Sequence, residues 1–233
     1  EMIAQHWTRK TRAVMVASPS NPTGTLLPED SLRAIMGIAK ERGGAVIVDE
    51  IYHGLVYDGD YTTALKFSDE VFVINSFSKY FNMTGWRLGW MVVPEAYVRE
   101  FDKLSQNIYL AAPTPAQHAA LAALTPGTIA MLEQRRAEFM GRRDFLVPAL
   151  RELGFRIPVV PQGAFYIYAD CSGLTDDSFA FARDLLETAG VAITPGADFG
   201  ANAAACHVRF AYTNAIPVLA EGAKRIGGFL ARG

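Results

Sequence analysis

Ala45-Val46-Ile47-Val48-Asp49-Glu50-Ile51-Tyr52 is the stretch that decides the fold. Four apolar residues in a row, three of them β-branched, suit a strand buried on both faces of a parallel sheet. The run meets two carboxylates at its carboxyl end, the end at which open α/β sheets bind ligands. Working outward, Ala13-Val14-Met15-Val16-Ala17 upstream and Val71-Phe72-Val73-Ile74 downstream have the same character. Between the first two runs, residues 28–42 place apolar side chains at 32, 35, 36 and 39. That spacing predicts an amphipathic crossover helix, opened by Pro28-Glu29 and closed by Gly43-Gly44. A fourth strand is predicted over 88–93, stopped by Pro94. The first hundred residues therefore read as βαβ units of an α/β layer fold.

The second half reads differently. Residues 115–153 are helical in pattern, with a break at Pro126-Gly127 and an end at Gly154. Residues 128–153 read as a connecting helix. A strand (164–170), a helix (178–189), a strand (207–211) and a last helix (216–231) follow, an α+β pattern of a smaller domain. The chain has 233 residues, half of them hydrophobic, and a net charge of −2. No basic stripe stands out, which argues against a nucleic-acid surface. Two cysteines, Cys171 and Cys206, are too few for a disulfide framework. No run of about 18 apolar residues suggests a membrane span. The start, EMIAQHWTRKTR, is charged and lacks the apolar core of a signal peptide. No metal site is assigned.

Three motifs carry chemistry, each after a strand. Ser18-Pro19-Ser20-Asn21-Pro22-Thr23-Gly24 makes a rigid turn, and taken alone it is no more than a turn. Asp49 is a carboxylate at a buried strand end, which costs free energy unless it meets a charge or a donor. Taken alone it reads at least equally as a cap on the next helix. Tyr52 lies three residues on, placed to share one face of a turn with that carboxylate. Ser76-Phe77-Ser78-Lys79, with Arg87 eight residues later, gathers two hydroxyls, an amine and a guanidinium. Hydroxyls and arginine suit a phosphate dianion, and a lysine beside them can form a Schiff base with an aldehyde.

Together these motifs, with the ending His207-Val208-Arg209-Phe210-Ala211-Tyr212, resemble the pyridoxal-phosphate-dependent enzymes of fold type I, the class I/II aminotransferases. The resemblance implies an α/β fold: a mostly parallel large-domain sheet with helices on both faces, and a small α+β C-terminal domain. Residues 1–126 would be part of the large pyridoxal 5'-phosphate (PLP) domain, and 127–233 the connecting helix and small domain. By the same resemblance, Lys79 matches the lysine that holds the cofactor and shuttles a proton. Asp49 matches the carboxylate facing the pyridine nitrogen, and Asn21 and Tyr52 the groups on the phenolic oxygen. Ser76, Ser78 and Arg87 match phosphate ligands. Arg209, with Asn21, matches the grip on the substrate's α-carboxylate. Gly163-Ala164-Phe165-Tyr166 and Pro195-Gly196 resemble segments that border the substrate. His53 is not required by the pattern, and Glu50 reads as a helix N-terminal residue. Trp86 and Trp90 read as packing around the Arg87 turn.

The resemblance further implies a cytoplasmic homodimer that moves an amino group from an L-amino acid of aspartate, alanine or aromatic type to a 2-oxo acid by a ping-pong route. A decarboxylase or C–S lyase of the same fold would use the same residues, and an aminotransferase-like effector domain of a transcription regulator stands as a third reading. Members of the family carry a long part before the Asn-Pro-Thr-Gly segment, with a phosphate-binding loop and an aromatic that stacks on the cofactor ring. The expectation is therefore that this chain is the C-terminal portion of a longer protein, inactive by itself, with both edges of its sheet block left unpaired.

Overall fold

A computed structural model describes residues 1–59 and 61–232. The chain divides into two units: residues 1–20 with 26–134, and residues 21–25 with 135–233.

The first unit opens with a short helix, α1 (Met2–His6), followed by β1 (Ala13–Ala17), α2 (Glu29–Glu41), β2 (Ala45–Asp49), β3 (Phe72–Ser76) and β4 (Gly89–Val92). The sheet order is β1-β2-β3-β4. The first three strands are parallel and β4 is antiparallel to β3. The register sets Val16 beside Val48 and Val48 beside Val73. On that face α2 lays Leu32, Ile35 and Ala39 against Val46, Val48, Val71 and Val73. The i, i+3, i+7 spacing puts the three α2 residues on one stripe of the helix. All three predicted parallel strands and the crossover helix form where expected, with bounds shifted by one or two residues.

The expectation of strands buried on both faces is met only in part. On the second face Phe72 packs against Tyr97 and Phe101, at ring separations of 5.3 and 5.8 Å. Phe101 belongs to α3 (Val98–Ile108), which the sequence reading did not single out despite apolar residues at 98, 101, 104 and 108, and which buries no residue. Met15 of the outer strand β1 stays 64% exposed on this unit. The two edges of the sheet are β1 and β4.

Two helices follow, α4 (Thr114–Ala123) and α5 (Pro126–Glu152). The predicted break at Pro126-Gly127 is misplaced, because Pro126 is the first residue of α5. Proline has no N–H to leave unpaired in a first turn, so it starts a helix readily. The interruption falls at 124–125, where the Thr125 hydroxyl donates to the Ala122 carbonyl at 2.9 Å. α5 starts in the first unit and ends in the second.

The second unit continues with β5 (Tyr166–Asp170), α6 (Ser178–Asp184), β6 (Thr194–Pro195), β7 (His207–Ala211) and α7 (Ile216–Leu230). The antiparallel order is β5-β7-β6. β6 has only two residues, too short for a periodic signal, and the sequence reading missed it. The Asp177 carboxylate caps α6 by accepting the Phe179 and Ala180 N–H groups. A single π-turn (Leu185–Ala189) extends the helix. Phe155, Phe181 and Phe210 meet edge to face at the centre of this unit's core.

Trp7, Trp86 and Trp90 are the chain's three tryptophans, and all lie in the first unit. Tryptophan fluorescence therefore reports that unit alone. Val48→Ala should lower its unfolding free energy by about 2 kcal/mol, seen as a lower urea midpoint at unchanged slope.

Candidate active site

In the first unit, the carboxyl ends of β2 and β3 bring out the predicted residues. Asp49 ends β2, paired with Ala17 on one side and Ile74 on the other. Its main-chain carbonyl accepts the Ser18 N–H at 3.1 Å, and its Oδ1 accepts the Ile51 N–H at 3.0 Å. The carboxylate thus caps the turn at 51–52, not a helix as the simpler reading of this residue expected. Tyr52 is buried, 5% exposed. Lys79 Nζ stands 5.9 Å from the centre of the Tyr52 ring.

Ser76 ends β3. Its hydroxyl donates to the Leu88 carbonyl at 3.1 Å, accepts the Ser78 N–H at 3.0 Å and lies 2.9 Å from Ser78 Oγ. Phe77 anchors the loop by packing on Phe81 and Trp90, with ring centres 4.8 and 5.0 Å away. Trp90 therefore packs beside this loop as expected, whereas Trp86 is 47% exposed. Arg87 adopts a left-handed backbone, φ 54° and ψ 50°. Such a conformation costs a residue with a side chain about 1–2 kcal/mol. Arg87 Nη1 donates to the Thr84 carbonyl at 2.8 Å, and the side chain is exposed.

Glu50 needs a correction. No α-helix follows it, and the side chain is buried, 3% exposed. It accepts the Ala64 N–H at 2.7 Å, a hydrogen bond from the Thr63 side chain, and His53 Nδ1 at 3.1 Å. Burial pushes the Glu50 carboxyl above its usual range, against the pull of those hydrogen bonds. Burial also pushes His53 down to about 4. The contact is therefore neutral imidazole N–H donating to the carboxyl, not an ion pair. The pair ties the 61–66 segment to the end of β2, a structural role that strand-end chemistry alone did not reveal.

The sign of the pH effect follows. His53 binds a proton more weakly folded than unfolded, where its value is 6.5. Its contribution is whole above about pH 6.5 and is lost as pH falls towards 4. Glu50 titrates with the opposite sign and partly offsets this in the parent protein. His53→Gln keeps an N–H donor and removes the titration. Between pH 7 and 4 the parent should lose about 3 kcal/mol more stability than His53→Gln, read from urea midpoints by tryptophan fluorescence.

The second unit holds the other two predicted residues together. Arg209 lies on the central strand β7, paired with Tyr168 and Thr194. Its guanidinium sits 4.2 Å from the centre of the Tyr166 ring and 4.7 Å from that of Phe199. Nη1 donates to Asn21 Oδ1 at 2.8 Å and Nη2 to Thr194 Oγ1 at 3.2 Å. Nε is buried and finds no partner among the described residues. Asn21 reaches Arg209 because residues 21–25 fold with this unit. The Gly24 carbonyl accepts the Gln162 and Gly163 N–H groups at 2.9 and 3.0 Å. Gly24 has φ +66°, and a Cβ there would come 2.5 Å from Pro161 Cβ. Arginine can only donate, so the Asn21 oxygen faces Arg209 and its NH2 faces away.

Tyr166 lies in a segment singled out from sequence. Thr194 and Phe199 flank the noted Pro195-Gly196 pair and were not singled out; nothing local marks either residue. His207 stacks on Tyr168 at 4.9 Å, a packing role. Among the described residues no group of three or more His, Cys, Asp or Glu could hold a metal ion, and no helix is long and apolar enough to cross a membrane.

Two hydroxyls, a guanidinium, a lysine amine and a strand-end carboxylate form a donor set suited to a phosphorylated aldehyde with a basic ring nitrogen. A half-buried guanidinium whose Nε finds no partner among the described residues suits a carboxylate. PLP therefore fits the residues present.

The family described as aminotransferase class I and II matches residues 2–226. The valine–pyruvate aminotransferase of Mycobacterium tuberculosis is 42% identical over 221 residues, covering 94% of this chain and 57% of that protein. The aspartate/prephenate aminotransferase of Thermus thermophilus is 36% identical over 235 residues, covering 100% of this chain and 60% of that protein. A crystal structure of an aminotransferase from Mycobacterium tuberculosis superposes with a TM-score of 0.94 at 40% identity, over 100% of this chain and 60% of that one. The chain thus spans less than two thirds of the length of the relatives it matches.

Proposed function

The chain belongs to the aminotransferase class I and II family, and on that footing we propose that the whole protein is a PLP-dependent transaminase. It moves an amino group from an L-amino acid of aspartate, alanine or aromatic type to a 2-oxo acid by a ping-pong route. In this reading it works as a cytoplasmic homodimer. Residues 1–126 form part of its large domain, and 127–233 the connecting helix and small domain. The observation that carries the proposal is the emergence of Asp49 and the Ser76–Lys79 loop from the same ends of adjacent parallel strands, with Lys79 Nζ 5.9 Å from the Tyr52 ring.

When bound, PLP supplies an electron sink for negative charge left on the substrate's α-carbon. The chain's own residues bind, orient and move protons. Ser76, Ser78 and Arg87 bind the phosphate, hydroxyls and guanidinium both donating to its oxygens. Asp49 holds a proton at the ring nitrogen. By the family's pattern, Tyr52 and Asn21 both donate to the phenolic oxygen. With the cofactor bound, the Lys79 amine would hold the aldehyde carbon's position and carry the proton taken from the substrate's α-carbon. Arg209 binds the α-carboxylate. Its two flanking rings hold the guanidinium flat, so little side-chain freedom is lost when the carboxylate arrives.

Purified as encoded and loaded with PLP, the protein should pass an amino group to a 2-oxo acid acceptor. Lys79→Ala should abolish the visible absorption of the bound cofactor and slow transfer by roughly 10³-fold. Transamination retained in Lys79→Ala would overturn the assignment. Product formation without an acceptor would point instead to decarboxylase or lyase chemistry. Arg209→Lys should raise KM for the amino acid by about 10- to 100-fold with a smaller change in kcat, because an ammonium cannot reproduce the planar fork.

A further inference from the structure

Lys79 is followed at once by a side chain that the proposed chemistry does not use. Tyr80 turns its ring onto Gly54, two residues past Tyr52. A Cβ at position 54 would run into Cγ and Cδ2 of that ring, so the contact exists only because residue 54 is glycine. The far end of the same side chain is also held. The Tyr80 hydroxyl donates to Glu133 Oε1 on the first turns of α5 at 2.6 Å. Phe81 closes a third side, edge to face at 5.0 Å.

We propose that Tyr80 is a positioning residue for Lys79, clamped between Gly54 and Glu133 so that the lysine's main chain cannot shift. The inference deepens the transaminase reading and rests on it. Its geometry is specific. One contact fixes the ring against the turn that carries Tyr52. The other fixes the hydroxyl to a different element. The Lys79 Cα is one residue from both. Phe77, Phe81 and Trp90 pack the loop, and hydrogen bonds from Phe77 N–H to the Leu88 carbonyl and from Asn82 N–H to the Lys79 carbonyl, at 3.1 and 3.0 Å, brace its main chain from within the same stretch of chain. The Tyr80–Glu133 hydrogen bond is directional and adds a tie to a second element, α5. An amine that must meet one carbon of a small ligand gains rate from such restraint, because each lost degree of misorientation is settled before reaction.

The test uses the protein as encoded, with PLP as probe. Tyr80→Phe keeps the ring and removes the bond, Glu133→Ala removes the acceptor, and Glu133→Gln keeps an acceptor oxygen. Three properties are read: the rate at which apoprotein captures PLP, the pH midpoint of the visible absorption of the loaded protein, and amide hydrogen exchange over 77–82 in the apoprotein. Tyr80→Phe and Glu133→Ala should each slow capture by about tenfold, shift the pH midpoint and speed exchange. Glu133→Gln should stay within about twofold of the parent. Tyr80→Phe matching the parent in all three would overturn the positioning role alone. Borohydride reduction of the loaded parent must fix PLP on Lys79. Its failure to do so would overturn the transaminase reading and the positioning role with it.

Discussion

Val16, Val48 and Val73 stand side by side on three parallel strands, and the rest of the first unit depends on that row. The row is held by hydrogen bonds along both ladders and by the α2 stripe that covers it. A slip of one residue in either ladder would turn the valines to the other face and the intervening residues into the core. Because the row is locked, Ala17, Asp49 and Ile74 form the last rung shared by the three strands. Ser18 and Glu50 leave the sheet there, while β3 runs on beside β4 to Ser76 at the same end. A buried apolar layer thereby sets where a carboxylate, two hydroxyls and an amine emerge.

The second unit meets a different constraint with a different device. A guanidinium on a central strand cannot reach open water from every side, so its donors need partners. Asn21 and Thr194 take one N–H each, two rings cover the faces, and Nε is left buried and without a partner among the described residues. An unpaired buried donor is costly in a folded chain. It is tolerable where a carboxylate is the intended partner, the role proposed for Arg209.

What could be read beforehand followed physical regularity. β-branched runs of four or five residues announced β1, β2 and β3, and the 32, 35, 39 spacing announced α2. α3 was passed over although Val98, Phe101, Leu104 and Ile108 keep a helical apolar spacing, a stripe that this unit leaves largely exposed. Elsewhere the reading failed where regularity was absent. β6 spans two residues and cannot show alternation. Pro126 was taken as a breaker because proline does break helix interiors, yet at a first position the same missing N–H is harmless. Glu50 was taken as a helix-start carboxylate because its partners at 63 and 64 come from a loop whose return path no local pattern encodes.

The sequence by itself determined the family, the α/β plan and the identity of eight residues suited to phosphate, aldehyde and carboxylate chemistry. Those are properties of residue type and order along the chain. Only the tertiary structure decided which partners hold them. It placed residues 21–25 with the second unit, so that Asn21 meets Arg209 across 188 positions of sequence. It set Tyr80 on Gly54 and Glu133, and it buried Glu50 beside His53. Each of these contacts joins residues far apart in the chain, or depends on which way a side chain turns once its strand is fixed. Both are settled by packing and hydrogen-bond satisfaction across the whole unit, and neither leaves a mark in any short stretch of sequence.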